Sequence, residues 1–485
     1  KKQSGKYKAV ASGAITNGKP VVVNPTGTVT AAGPVNTPGG GTPVLFSSTS
    51  LAIIYGYYAI GFDSNSNKVV IVYTNNTNSY GTAVVGTVSG ASISFGTPVV
   101  FLSATIQHIG KPAFDSNSNK IVIAYNDNNS QGKAIVGTVS GTNISFGTSA
   151  LFRQAGLQST SFNYPEVVFD SNSNKIIVGM QASPGGKAIV GAVSGTGISF
   201  SGNNEATFNS SNISELHTAF DSNSNKVVFA YKDVPDSNKG KCVVGTVSGG
   251  SISFGTPVVF NNGNVTQFGI TFDSNSNKIV VFFRDTDGVV NDAADGVAVV
   301  GTVSGTGISF GTPVSIGKAS SCAITFDSNV NKVAISFTDF DPTTLSANFG
   351  TISGTDITFG TPFVLGTQSI YQGMTFDSNS NKVVVAYMDY GESNANPAPA
   401  KAVVFGPTSN NLTAENYIGI ASGGTYADTA EATVDVVGTV NKDQTSLTAG
   451  QTYFVQADGT LGTSADTISV VAGTAISATE LIVKG

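Results

Sequence analysis

Phe62-Asp63-Ser64-Asn65-Ser66-Asn67-Lys68 is the first of seven nearly identical heptapeptides spread along a chain of 485 residues. Their aspartates, Asp63, Asp115, Asp170, Asp221, Asp273, Asp327 and Asp377, lie 52, 55, 51, 52, 54 and 50 residues apart. Only the sixth copy departs, with Val330 in place of the second serine. A constant period of this size marks a repeat architecture, in which each unit buries its apolar face against its neighbours.

Working outward from the fifth copy, Gly-Ile-Thr-Phe at 269–272 reads as a short strand. The heptapeptide itself is rich in residues that form Asx-type bends and reads as a turn. Lys-Ile-Val-Val-Phe-Phe at 278–283 is a continuous apolar strand, suited to burial on both faces. After a variable loop, 296–303 forms a third strand, Ser-Gly-Thr-Gly at 304–307 a second turn, and 308–314 an outer strand bent at Gly-Thr-Pro. Four antiparallel strands in such a unit make one propeller blade.

The seventh unit ends at Lys401–Phe405 without its outer strand. The tail of that strand stands instead ahead of the first unit, as Gly41-Thr42-Pro43-Val44-Leu45-Phe46. Residues 41–46 are therefore expected to complete the last blade, a permutation that joins the ends of a ring and leaves only short, protected sheet edges. The fold class expected is all-β: a seven-bladed β-propeller closed by an N-terminal strand, with a small C-terminal β-barrel or sandwich. The domains expected are an N-terminal β arm at 1–39, the propeller at 40–408 and a small β domain at 409–485.

Composition agrees, with 11% charged residues, 57 glycines and no sustained helical periodicity. A net charge of −6 without a basic stripe argues against nucleic acid as a partner. No apolar run approaches the roughly 18 residues of a membrane span, so no membrane insertion is expected. The N-terminal residues carry lysines without the apolar core of a secretory signal. Cys242 and Cys322 sit in apolar strands of different units and read as buried free thiols.

The two turns that emerge on one face, at the heptapeptide and at Ser-Gly-Thr, hardly vary between blades. The loops of the opposite face vary in length and composition, as at 153–165, 201–216, 285–296 and 391–400. Loops held by a rigid scaffold are where binding usually resides, so the variable face is the candidate recognition surface. Seven positions past each turn lysine it carries a rim of Asn75, Asp127, Asp233, Asp285, Asp339 and Asp389, with Ala182 in the third blade. These side chains could meet a cation or sugar hydroxyls, or each could anchor its own loop as an Asx turn. The heptapeptides begin like a calcium loop but lack the loop glycine and the distal glutamate, so their aspartates read as structural turns and no metal or cofactor is expected.

His108 and His217 lie on different blades with no partner pattern, and no HExxH, GxSxG, phosphate-loop or CxxC spacing occurs. The two arginines, Arg153 and Arg284, are too few for a sialidase-type arginine triad, and the chain has no tryptophan. These absences lead to the expectation that the chain is not an enzyme.

Outside the ring, residues 15–29 match residues 447–461 without a gap: Gly18 aligns with Gly450, Val23 with Val455, and Gly27-Thr28 with Gly459-Thr460. Three terminal runs carry a resemblance: Asn-Leu-Thr-Ala-Glu-Asn-Tyr-Ile-Gly-Ile-Ala at 411–421, 446–461, and Ala-Gly-Thr-Ala-Ile-Ser-Ala at 472–478. They resemble modules of tailed-phage virion proteins of the tail-fibre or head-fibre type. The ring repeats resemble Kelch- and WD-like repeats in architecture, without the Kelch double glycine and tryptophan or the WD dipeptide. The resemblance implies a non-enzymatic structural or adhesion protein of a multimeric virion or extracellular assembly, with a propeller face displayed to a host receptor or glycan. The alternative is the subunit of a bacterial extracellular filament, assembled head-to-tail by strand complementation. Val21, Val22 and Val23, with Tyr453, Phe454 and Val455, are the candidate assembly strands. Both readings expect self-association.

Overall fold

The computed structural model describes residues 5–24, 26–33, 35–48, 59–154, 162–182, 185–201, 205–339, 343–367, 369–390, 398–408, 411–456, 459–466 and 468–484. The chain forms two compact units, residues 39–406 and residues 1–38 with 407–485.

The heptapeptide builds the first turn of every blade in the larger unit. Each aspartate is at most 4% exposed. Its Oδ1 accepts the amides two and three residues on, as from Asn65 and Ser66 to Asp63 at 2.9 and 3.0 Å. The last asparagine of each copy, Asn67, Asn119, Asn174, Asn225, Asn277, Asn331 and Asn381, takes φ between 52° and 56°. That left-handed region is costly for most residues, and asparagine is among the few that visit it. Leaving the turn, Lys278–Asp285 runs as the second strand of the fifth blade. Residues 279–283 are fully buried and alternate between two cores: Ile279, Val281 and Phe283 face the fourth blade, Val280 and Phe282 the sixth.

Each blade repeats this plan. In the fifth, Val258–Asp273 pairs with Lys278–Asp285, which pairs with Asp295–Ser304, and this third strand pairs with both Gly307–Phe310 and Val314–Lys318. Seven such four-stranded sheets follow one another, and the inner strand of the seventh, Ser369–Asp377, touches Ala59–Asp63 of the first. The outer strand of the seventh blade does come from the N-terminus. Val44–Ser47 pairs with Ala400–Thr408, and so does Val35–Gly40, six residues earlier than the Gly-Thr-Pro signature marks.

The blades interlock through the glycine that opens the Gly-Thr-Pro bend, or Gly-Thr-Ser in the second blade. A Cβ on Gly96, Gly147, Gly255 or Gly311 would lie 1.9–2.1 Å from a carbonyl oxygen in the next blade's second turn, that of Thr142, Thr196, Thr306 or Thr355. Gly41 meets Ala91 of the first blade in the same way, so the joint that closes the ring is built like the others. At one joint the sizes are exchanged. The third blade carries Ser201, whose Oγ donates to the Gly250 carbonyl at 2.8 Å, and the facing turn has Gly250 where other blades have threonine or alanine.

The smaller unit contains the same five-stranded sheet twice. One consists of Lys6–Val10, Pro20–Val23, Val29–Ala31, Tyr417–Ala421 and Glu431–Val436. The other consists of Val440–Asn441, Thr452–Val455, Leu461–Gly462, Val471–Ala475 and Leu481–Val483. In both, the spatial order is first, fifth, fourth, second and third strand. Details repeat as well: Val21 faces Gly419 as Tyr453 faces Gly473, and Gly18, Gly27, Gly450 and Gly459 all have φ of 76–83°. The 15–29 and 447–461 match is thus one visible piece of a whole-module duplication. In the second module the third and fourth strands are joined by residues 463–470, whereas in the first the entire propeller stands between them. The strands of the N-terminal β arm at 1–39 up to Val29–Ala31 pair within the chain, as strands of this first module.

Two outcomes follow. Gly255→Ala should destabilise the ring by about 1–3 kcal/mol, as overpacking of a close joint does, and Gly250→Thr should lower the melting temperature until combined with Ser201→Gly. Additive losses in that double variant would show that the joint does not depend on the size exchange. In the sixth blade Val330 cannot supply the serine hydroxyl that reaches the turn aspartate at 2.6–2.8 Å in four others, and Asp327 Oδ2 has no hydrogen-bond partner. Burial pushes the Asp327 carboxyl up to about 6. A carboxyl raised above its unfolded value stabilises the fold at low pH and loses that contribution as pH rises through about 6. Val330→Ser should therefore gain about 1 kcal/mol in denaturant unfolding at pH 7.5, and less at pH 4.

Candidate functional site

The inner strands do not run straight to the turn. Glu215, Gln267, Ser321 and Tyr371, each six residues before a turn aspartate, take φ of 48–54°, and the ladder slips one or more positions beside each. Such bulges re-aim the residues that follow. They also link blades: the Glu215 carboxylate accepts the Gln267 amide, and Gln267 Oε1 accepts the Ser321 amide at 2.9 Å. Lys232 pairs with Glu215 at 3.2 Å.

Two residues beyond the bulge, four before the turn aspartate, every blade contributes to the wall of one cavity at the propeller axis. The seven residues are Ala59, Lys111, Glu166, His217, Gly269, Ala323 and Gly373, and the cavity holds about 820 Å³ of unfilled space, open mouth included. Three consecutive blades place ionisable side chains there, and the other four place glycine or alanine. The lumen is polar along one arc and empty along the other. Ile60, Ile270, Ile324 and Met374, one residue further on, also border it, each buried for the most part in the cores between blades.

Within the arc, His217 Nδ1 lies 3.7 Å from Glu166 Oε1, and the Lys111 amide donates to the Glu166 carboxylate. Glu166 is 8% exposed, and burial pushes its carboxyl up to about 8 against the pull of the Lys111 charge. Burial, reinforced by Lys111, holds the His217 imidazole down to about 3, so it is neutral at physiological pH. Lys111 is also shifted down by the surrounding wall. Its side chain is nevertheless exposed, so water in the lumen screens it, and the larger perturbation belongs to Glu166.

The rim of the variable face is arranged differently. Asp127 accepts the amides of Asn129 and Gln131 at 2.9 and 3.0 Å and pairs with Lys133 at 2.7 Å. Asp233 pairs with Lys241 at 2.8 Å, Asp389 with Lys401 at 3.0 Å, and Asp285 accepts the Val290 amide at 3.0 Å. Asn75 accepts the Thr77 amide at 2.9 Å, and the Asp339 amide donates to the Thr344 carbonyl at 2.9 Å. Asp285 also accepts from Asn261 Nδ2 at 3.4 Å and Asp389 from Thr367 Oγ1 at 2.8 Å, so rim residues anchor their own loops and, at these two positions, the strand end of the preceding blade. The structure does not gather them into one site. Of the variable loops, residues 155–161, 183–184, 202–204, 340–342 and 391–397 lie outside the described residues. Among the described residues no group of His, Cys, Asp and Glu has the arrangement of a metal site. Cys242 and Cys322 are free and buried, and Cys322 lies in the cavity wall. Arg153 is held by Glu205 at 2.6 Å.

The candidate assembly strands are internal. Pro20–Val23 lies between Val29–Ala31 and Tyr417–Ala421, and Thr452–Val455 lies between Leu461–Gly462 and Val471–Ala475. Their ladders are filled on both sides, so a second chain's strand would have to add at the sheet edges.

No family model and no curated protein matches the chain. Solved structures similar to it include the Dos1 propeller, with a TM-score of 0.45 and 12% identity over 82% of this chain and 95% of that one. The NanB sialidase from Streptococcus pneumoniae, in complex with an ethanesulfonate compound, has a TM-score of 0.41 and 12% identity over 75% of this chain and 70% of its own. NanB with Optactamide has a TM-score of 0.43 and 11% identity over the same shares. The expectation that the chain is not an enzyme is corrected here: an enzyme stands among these propellers, so the missing sequence motifs do not exclude catalysis.

His217 has no motif around it in the sequence, yet it shares its offset from the turn aspartate with Lys111 and Glu166. Counting back from each heptapeptide finds the arc, whereas counting forward finds only the rim. Because Glu166 is raised to about 8, wild-type stability should fall as pH rises from 5 to 9, and Glu166→Gln should flatten that slope. Equal slopes in chemical denaturation of the two proteins would show that Glu166 is not held protonated.

Proposed function

We propose that this chain is a recognition protein of an extracellular or virion assembly, in which paired terminal modules serve as the mount and self-association element and the propeller is the displayed binding domain. The observation that carries this reading is the insertion of the propeller between the third and fourth strands of one of two like modules. A module that repeats with eight linking residues in one copy, 463–470, and a whole domain in the other is a carrier with cargo. The terminal runs that resemble fibre modules of tailed phages all fall in this carrier, which supports the virion setting. The filament reading has less support, because Pro20–Val23 and Thr452–Val455 are already paired on both sides.

Replacing residues 34–410 with a short link of the same sequence as 463–470 should leave a β-rich protein with the oligomeric state of the full chain, measured by light scattering. The full chain should bind a surface-glycan array or host-cell envelopes, and the shortened protein should not. Retained binding by the shortened protein would place recognition in the modules and overturn the proposal.

A further inference from the structure

We infer that the terminal modules carry a second, exposed copy of the contact that holds them to each other, and that this copy joins the chain head-to-tail to another copy of itself. The inference deepens the reading of the modules as the self-association element and rests on it. No strand is exchanged.

Within the chain, the outer face of the first module is a socket. Val22, Tyr417, Ile420 and Asp435 lie on that face and are buried under the second module. Val22 and Tyr417 pack with Val455 and Ala472, and Ile420 packs with Tyr453 and Val483. The Tyr417 hydroxyl donates to the Ala472 carbonyl at 3.3 Å, and Asn441 Nδ2 donates to the Asp435 carboxylate at 3.0 Å. The plug is the opposing rim of the second module, Asn441, Val455, Ala472 and Val483, all fully buried.

The two modules meet through different parts of the same fold. A Cβ on Gly18 would strike the Asp443 carbonyl, and one on Gly459 the Ala32 carbonyl. Their counterparts in the other module, Gly450 and Gly27, have nothing within 4 Å. A twofold pairing would engage both members of each pair, so the contact is heterologous. Such a contact leaves one socket and one plug over, and it repeats from chain to chain as a ring or an open fibre.

The ladders identify the exposed halves. Matched strand for strand, the socket residues Val22, Tyr417 and Asp435 correspond to Phe454, Val471 and Ile482. The plug residues Asn441, Val455, Ala472 and Val483 correspond to Tyr7, Val23, Ile418 and Val436. None of these seven counterparts is buried. Ile482 is 36% exposed, Val440 paired beside it 38%, and Tyr7 42%. Apolar surface gathered in this way marks an interaction site. The facing positions also change together. Where polar Asn441 meets polar Asp435 inside the chain, the exposed copy sets Tyr7 against Ile482. Where Tyr417 supplies a hydroxyl, the exposed copy has Val471. The second contact is the more apolar of the two, as suits the core of an interface between chains.

Sedimentation velocity of the full chain over a range of concentrations tests this. Wild type should self-associate, and Ile482→Lys in the socket and Tyr7→Lys in the plug should each raise the concentration needed about tenfold or more, with melting temperatures near wild type. Mixed in equal amounts, the two variants should form a one-to-one pair and nothing larger, because one intact socket and one intact plug remain. Both added charges are positive, so the altered halves cannot pair with each other. Val440→Lys and Val436→Lys take their places if either variant melts early. Variants that stay apart on mixing would overturn the head-to-tail contact, and so would assembly that neither substitution weakens. In both cases self-association by the modules still stands, through another surface. A wild-type chain that is monomeric at every concentration would sink the inference and the self-association reading together.

Discussion

A backbone approach too close for any side chain holds the ring together. At Gly41, Gly96, Gly147, Gly255 and Gly311 the outer strand of one blade meets a carbonyl of the next blade's turn at a distance that leaves no room for a Cβ. The contact is made at the ring's circumference, and it is the same at the joint between the permuted strand and the first blade. Where the glycine is lost, at Ser201, the facing residue shrinks to Gly250 and a hydroxyl-to-carbonyl hydrogen bond takes over. Size is preserved across the joint even when the residues exchange places, which shows that the constraint lies in the gap between blades.

With the circumference set, the axis is free to vary. Each heptapeptide fixes its inner strand in register by an aspartate that caps two amides and an asparagine in the left-handed region. The strand leading into it needs only to be extended and bulged. Its axial residue carries no share of the turn's hydrogen bonds, and the cores between blades are supplied chiefly by the second and third strands. Lys111, Glu166 and His217 can therefore occupy adjacent blades without weakening the repeat. The asymmetry of the lumen is possible because the scaffold does not need its symmetry there.

This division also explains what is legible in the sequence. Blade number, strand order and the donated outer strand follow from near-identical local signals: the Asx turn, the apolar second strand and Gly-Thr-Pro. The start of the donated strand at Val35 is not legible, because Val35–Gly40 lacks the Ser-Ile-Ser-Phe pattern of its counterparts. The module duplication is visible only at 15–29 and 447–461, where glycines with positive φ preserve the turns; the remaining strands share topology but little sequence. The axial arc is hidden for the opposite reason. Its residues differ between blades, and only their common distance from a constant aspartate reveals that they meet.

The insertion and the permuted strand are physically linked. The first module needs strands from both ends of the chain, Pro20–Val23 and Tyr417–Ala421, which pair across nearly 400 intervening residues. Closing so long a loop of flexible chain carries an entropic cost that grows with its length. The propeller removes most of it. When Val44–Ser47 pairs with Ala400–Thr408, the two chain ends leaving the ring are already neighbours on one sheet. A conventional propeller, with its last blade built from one contiguous segment, would also bring its ends together, but without a ladder fastening them. Here the strand that closes the ring is the same stretch that leads directly from the module's third strand. Ring closure therefore prepares the assembly of the first module, and the second module, contiguous in sequence, has no such requirement. The permutation that at first identifies a closed ring is also what allows that ring to be carried inside a small β module.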